Sequence, residues 1–412
     1  MLLLLLLGAS SMLAPMAMNM HVPAAGEIAA SFELERARAS LTVTVYLWVF
    51  GSTMLLVGLP ADRFGRRPTL LGGLILLALG ASVAALSIEG IGDVARIVGG
   101  WLGYQDIVLS KERLFQVMLV ARAVESVGAA SIVVTPRTMI NDRVQGPEAM
   151  KLLGLLGTIM AAAPALAPIF GELLSSWFGW PSIFGFQALV ALVLLVLCVP
   201  FLPETQPEVL PADKVALPVE GEFRTVGAVV APVSVMALMT AVYFAYLAAG
   251  ADAALVHFDE GSGALAALLA SLATIYVLGN ITVTRIAHRF LPTHIIRFGS
   301  LFTLASLPII LLGKSYFLVG AGMCVYAFGN GLVMPTALAM AGSVEPRLRA
   351  RVMSVASSTP FLLGGALALL ATSLKLTTWP RFQWLMVACV VLCVATAWLL
   401  MTPRKSRRTS AA

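Results

Sequence analysis

Charge is what this chain has least of. Only 12% of its 412 residues are Asp, Glu, Lys or Arg, against about 25% in an average soluble domain. So little charge cannot coat a soluble body of this size, which excludes a secreted, cytosolic or disordered protein. Cysteine and histidine are equally sparse, at four each. Cys198, Cys324, Cys389 and Cys393 all fall inside apolar runs, without metal-ligand spacing to any His. A disulfide framework and a zinc or haem site are therefore excluded, and the four thiols read as small buried hydrophobes. No G-x-x-x-x-G-K-[ST] loop occurs, so an ATP-driven pump is excluded. No nucleophile–base arrangement is recognisable, which argues against an enzyme and leaves no cofactor and no metal to expect.

What is abundant is apolar sequence. Hydrophobic residues make up 59%, the mean hydropathy is +0.93, and lipid is the solvent this implies. A helix needs about 20 apolar residues to cross the hydrocarbon. Twelve stretches qualify, at 2–24, 40–60, 69–88, 114–136, 151–173, 181–202, 226–248, 263–284, 294–313, 316–338, 352–373 and 380–402. The first, Leu2–Leu7 followed by Gly8-Ala9-Ser10, has the apolar core of a secretion signal. It lacks a basic flank and stays apolar to Val22, so a first membrane helix is expected. Because that helix starts at residue 1, a misplaced start codon or a missing tail is also expected.

The net charge of +6 reflects topology rather than a nucleic-acid partner. Suppose both termini are cytoplasmic. Most of the basic residues then fall inside, among them Arg63, Arg66, Arg67, Arg137, Arg143, Arg285, Arg289 and the tail Arg404, Lys405, Arg407, Arg408. Fewer fall outside, at Arg36, Arg38, Arg96, Lys111, Arg113, Lys314, Lys375 and Arg381. This bias favours N-in, C-in and an even number of crossings in a cell inner (plasma) membrane. The longest polar stretch, 203–225, divides the chain into six-helix units at 1–202 and 226–402, with a basic tail at 403–412. Repeated six-helix halves are a known transporter plan. A faint repeat supports it: Thr135-Pro136 and Met334-Pro335 each end a helix before a basic loop.

After the second stretch comes Gly58-Leu59-Pro60-Ala61-Asp62-Arg63-Phe64-Gly65-Arg66-Arg67-Pro68. Glycine lets a chain turn or helices approach, and Asp62 can accept from a basic group or a helix N-terminus. The spacing G-x-x-x-D-R-x-G-R-R is far more specific than a basic turn. It resembles the helix 2–3 signature of the major facilitator superfamily. Further resemblances follow in order: Arg122 with Gly128 to the fourth-helix arginine motif, and Ala163-Pro164 through Pro168 and Gly171 to the fifth-helix antiporter motif. Leu202-Pro203-Glu204-Thr205 is similar to the end of the sixth helix, and Gly331 to Pro335 and Gly364-Gly365 to helices ten and eleven. Nearly the whole chain is covered. The resemblance is closest to the twelve-helix drug:proton antiporters of the bicyclomycin/chloramphenicol-resistance (Bcr/CflA) subfamily.

The resemblance implies an all-α membrane protein of two six-helix bundles around a cavity open alternately to either side. It implies a monomer whose partners are protons, a small amphipathic substrate and the bilayer. Pro164, Pro168 and Gly171 would shape the interface between halves. Intramembrane acids are few and expensive. Glu125 lies mid-helix, three residues from Arg122, so the two can bond along one face. Glu125 is either a proton-carrying carboxylate or the static partner of a buried Arg. The family's helix-one acid is replaced by Asn19, in Met18-Asn19-Met20-His21-Val22-Pro23. Either the acid has moved to helix four, with Asn19 a hydrogen-bonding group near Arg122, or coupling is lost. His21 is a lesser titrating candidate. Tyr46, Trp48, Phe50, Tyr243, Phe244 and Tyr246 are cavity candidates suited to lipophilic, often cationic molecules, though such aromatics also pack helices together. Asn280 and Asn330 are polar cavity candidates. Asp252, Asp259 and Glu260 read as solvated. Segment 89–113, an insertion relative to the family, has the spacing of a short surface helix and is equally consistent with a tolerated loop. The leading expectation is proton-coupled efflux; an uncoupled facilitator and a transport-inactive receptor or scaffold are the alternatives.

Overall fold

The computed structural model describes residues 2–88, 90, 109–144, 146–206, 220–344, 346–376 and 378–399. Among them no strand occurs, and twelve principal helices follow one another along the chain. They are α1 (Leu2–Asn19), α2 (Ser40–Leu56), α3 (Arg66–Ala85), α4 (Lys111–Arg143), α5 (Gly146–Phe178), α6 (Pro181–Phe201), α7 (Glu220–Ala245), α8 (Ser262–Ile286), α9 (Pro292–Leu312), α10 (Tyr316–Gly342), α11 (Pro346–Ser373) and α12 (Trp379–Leu399). Eleven helices among the described residues are long and apolar enough to cross a membrane. The remaining one, α1, has 18 residues and rises about 27 Å, close to the hydrocarbon thickness. Their outer faces confirm the solvent: Leu189, Leu192, Val193, Val196 and Val199 of α6 all face outward.

The short connections meet in two groups, one joined by the Arg66–Glu204 bond and the other by Arg36–Asp252. The basic end carries residues 57–65 and 202–206. The opposite end carries 20–39 and 258–261.

Four local readings change in the structure. The signature after α2 is not an open loop, because Gly58–Phe64 is itself helical. Gly58 neither turns nor touches anything within 4 Å of a Cβ position. The turn is made at Gly65, with φ +105° and ψ 162°, a region essentially restricted to glycine. Helix α4 does not end at Thr135-Pro136 but runs on to Arg143, and α10 likewise passes Pro335 to reach Gly342. Proline removes the donor for the carbonyl four residues earlier. At Pro136 that carbonyl belongs to Ile132, and Ser11 Oγ of α1 donates to it at 3.1 Å, so the helix continues at little cost. Helix α7 continues through a π-helical turn, Tyr246–Gly250, into Ala251–His257. Asp252 therefore lies on a helix, and it pairs with Arg36 instead of being solvated. Most of the 89–113 insertion, the linker from 207 to 219 and the basic tail lie outside the described residues.

Close helix approach depends on glycine. A Cβ at Gly128 would meet the backbone of Gly73 and Leu77, and one at Gly80 would meet the backbone of Glu125. These contacts bring α3 against α4. Between the two six-helix halves, α2 packs on α11 and α5 on α8.

The basic end has its own polar network. Arg66 donates to Asp62 Oδ1 at 2.6 Å and to Asp142 Oδ2 at 3.0 Å. Glu204, just past α6, accepts from the backbone N–H groups of Arg66 (3.0 Å) and Arg67 (3.1 Å) at the start of α3. It also accepts from Thr205 and Gln206. Partial burial alone would raise this carboxyl, but the four backbone donors outweigh it and hold Glu204 below the usual carboxylate range. Its contribution is therefore complete above about pH 4.3, the ordinary glutamate value, and disappears as the pH falls through the lower folded value. The melting-temperature advantage of the wild type over Glu204→Gln is expected at pH 6–7 and should shrink below about pH 4. Parallel thermal melts across pH 3–7 check this; an advantage that persists at the acid end contradicts it.

Candidate functional site

A central cavity of about 240 Å³ lies between the halves. Aromatic carbon forms much of its wall. Phe361 stacks on Phe244 with ring centres 4.8 Å apart and meets Phe50 edge-on at 4.8 Å. The glycines of α11 allow this approach: Gly364 lies against Phe244 and Gly365 against the Trp48 ring. Thr240 Oγ1 donates to Asn330 Oδ1 at 3.1 Å on the α7–α10 side.

The cavity is sealed at the opposite end. Arg36 Nε donates to both carboxylate oxygens of Asp252, at 2.8 and 3.0 Å. Ser262 Oγ donates to Glu172 at 2.8 Å, tying α8 to α5. The Ser40 and Thr372 hydroxyls meet at 3.5 Å. A second hollow of about 260 Å³ surrounds the Arg36–Asp252 pair, near Trp379. Toward the basic end the packing is looser. Space is free beside Gly58, and the Asp62 side chain is 55% exposed.

The structure brings part of the predicted set together. Tyr46, Phe50, Tyr243, Phe244, Asn330, Asn19 and Pro164 line the central cavity. Trp48, Tyr246 and Asn280 lie outside its lining; Tyr246 is fully buried against Trp379 and Phe382. Gly171 packs within the first half rather than between halves, against the carbonyl of Met20 just past α1.

Behind Tyr46 lies the ion pair. Arg122 Nη1 and Glu125 Oε2 are 2.5 Å apart, and both side chains are fully buried. The guanidinium sits between the rings of Tyr46, 4.6 Å away, and Phe184, 5.4 Å away. Its second terminal nitrogen donates to Ala17 O at 3.2 Å. Tyr46 in turn donates to Ala14 O at 2.9 Å. The pair is thus stitched to α1 through carbonyls of that helix, whereas Asn19 spends its amide on Pro15 O at 2.7 Å. His21 is buried, with Nε2 3.2 Å from Thr42 Oγ1. Among the described residues no three potential ligands converge as a metal site would require.

One cavity residue escaped the sequence. Arg137 reads as a loop cation, yet the continuation of α4 past Pro136 carries it into the cavity wall. The available signal was a single basic residue directly after a proline in an apolar run.

The sequence profile of the Major Facilitator Superfamily matches residues 7–369. A chloramphenicol resistance protein of Pseudomonas aeruginosa is 30% identical over 203 residues, covering 49% of this chain and 42% of that one. The multidrug resistance protein MdtL of Shewanella sp. (strain ANA-3) is 26% identical over 332 residues, 79% of this chain and 78% of its own. Citrate exporter 1 of Aspergillus niger is 24% identical over 48% of this chain and 33% of its own. Among solved structures, a D-xylose–proton symporter superposes with a TM-score of 0.73 at 13% identity, covering 97% of this chain and 98% of its own.

Proposed function

The chain belongs to the major facilitator superfamily, and from that premise we propose that it exports small amphipathic molecules in exchange for protons. The observation that carries this reading is a cavity between the halves, closed over at one end by Arg36–Asp252, with free space beside Gly58 and an exposed Asp62 toward the other. In the proposed cycle the halves rock so that the seal opens as the basic end closes. The positive-inside bias supports a cytoplasmic basic end, and the proposed transporter is a multi-pass inner-membrane monomer in an inward-facing state. The proposed division is 1–202 and 226–402, joined by 203–225, of which the residues from Glu220 on already form the start of α7. The relatives named for chloramphenicol, multidrug resistance and citrate support export as the direction.

Glu125 is the proposed proton carrier. It is a buried carboxylate one layer behind the Tyr46 wall, and its protonation would release Arg122 and with it the hold on Ala17 of α1. Asn19 and His21 would flank this path. A second reading, uncoupled facilitation, is favoured by the cavity wall itself, which holds no carboxylate among the described residues.

Accumulation of radiolabelled chloramphenicol and citrate in energised cells, with and without an uncoupler, tests the proposal for wild type and Glu125→Gln. Export in the wild type is expected to stop with the uncoupler and to be lost in the variant. Export that survives both treatments establishes the facilitator.

A further inference from the structure

Among the described residues the central cavity contains a single charged side chain, and it is a cation. Arg137 lines the wall with Met54, Met160, Leu338 and Ala356. The hydrogen bond described for it runs from Nη2 to the Met160 sulfur at 3.7 Å, and a thioether is a weak acceptor that cannot neutralise a guanidinium. Among the described residues no carboxylate lies within ion-pair distance of Arg137. The next acid along α4, Asp142, is held by Arg66.

An uncompensated cation beside an apolar cavity is costly. The same low-dielectric surroundings strengthen attraction to an anion that arrives there. A cationic ligand would meet repulsion with no acid to offset it. The remaining polar groups agree. Thr240 occupies the oxygen of Asn330, leaving the Asn330 amide N–H₂ as a donor. The stacked Phe244 and Phe361 rings suit an aromatic or aliphatic body.

Resting on the transport reading, we infer that the cavity selects amphipathic organic anions, with the acidic head on Arg137 and the apolar body against Phe50, Phe244 and Phe361. The guanidinium offers two parallel donors, which a carboxylate can accept together. This reverses the preference for cations that an aromatic wall alone suggests.

The test is calorimetric titration of the purified full chain with three probes on one skeleton: 1-naphthylacetate, 1-naphthylacetamide and 1-naphthylethylamine. The acetate should bind at least about tenfold tighter than the amide, the ammonium compound weakest, a tenfold change being about 1.4 kcal/mol. Arg137→Gln should remove most of the acetate's advantage over the amide, and saturable amide binding that remains in the variant reports an intact cavity. Arg137→Lys should keep most of the acetate preference. Equal or tighter binding of the amide or amine overturns the inference. So does an acetate preference that survives Arg137→Gln, or no saturable acetate binding up to millimolar concentration. No gradient is involved, so a failure of proton coupling or of transport leaves this readout untouched.

Discussion

Arg122→Met should lower the stability of the protein by about 3–5 kcal/mol, because it strands the Glu125 carboxylate without its partner. Both side chains are fully buried, so water cannot take over the solvation of the lone acid. The guanidinium also holds Ala17 O of α1 and fills the gap between Tyr46 and Phe184. The double variant Arg122→Met/Glu125→Met should recover much of the loss, since replacing both members of a buried pair with apolar groups of similar volume is often near neutral. Chemical denaturation of the four members of this cycle measures the coupling directly. If the double variant loses as much stability as the two single variants added together, the pair is not a coupled unit. The double variant also separates fold from mechanism: it should fold and yet fail to concentrate substrate against a gradient. Should it still do so, Glu125 is a structural counter-ion and the proton travels elsewhere.

Gly171→Leu should abolish the folded state, and Gly171→Ala should cost about 1–3 kcal/mol or more. The first added carbon points directly at the carbonyl of Met20. Backbone cannot swing aside as a side chain does, so α5 and the end of α1 must separate. That separation would disturb the seat of His21 on Thr42 and the core of Met20, Ala167 and Phe184. Gly185→Ala on α6 is the control, since nothing lies within 4 Å of its Cβ position. There the change should be neutral or stabilise by about 0.5–1 kcal/mol. Melting temperature and monodispersity on size exclusion report both outcomes, and a Gly171→Ala protein as stable as wild type would rule out the close approach.

How much was legible depends on which property is asked about. Helix positions were, because twelve long apolar runs admit few other solutions in lipid. The Arg122–Glu125 pair was legible too, since a spacing of three on one helix fixes it without reference to any neighbour. The signature residues Asp62 and Arg66 were readable as a motif. Their partner Asp142, 76 residues from Arg66, was not. Glu204 appeared as part of a family-like helix end, and only the fold shows it capping α3.

The misread positions share a cause. Tyr243, Phe244 and Tyr246 are near neighbours on one helix, yet the first two face the cavity while Tyr246 is buried against α12. In a soluble helix a polar face would mark the direction; in a bilayer both the lipid-facing and the protein-facing sides are apolar, so that signal is largely lost. Arg137 and Asp252 were assigned to loops because proline and polar residues usually end helices. Ser11, 121 residues from Ile132, and Arg36, 216 residues from Asp252, supply what lets those helices continue or lets that charge stay.

The sequence by itself therefore determined the solvent, the helices, the superfamily and the one ion pair written into a single helix, because each rests on composition or local spacing. The tertiary structure alone decided which end is sealed, which aromatics face the cavity and that Arg137 enters its wall. Those depend on contacts between segments distant in the chain, which local spacing does not encode.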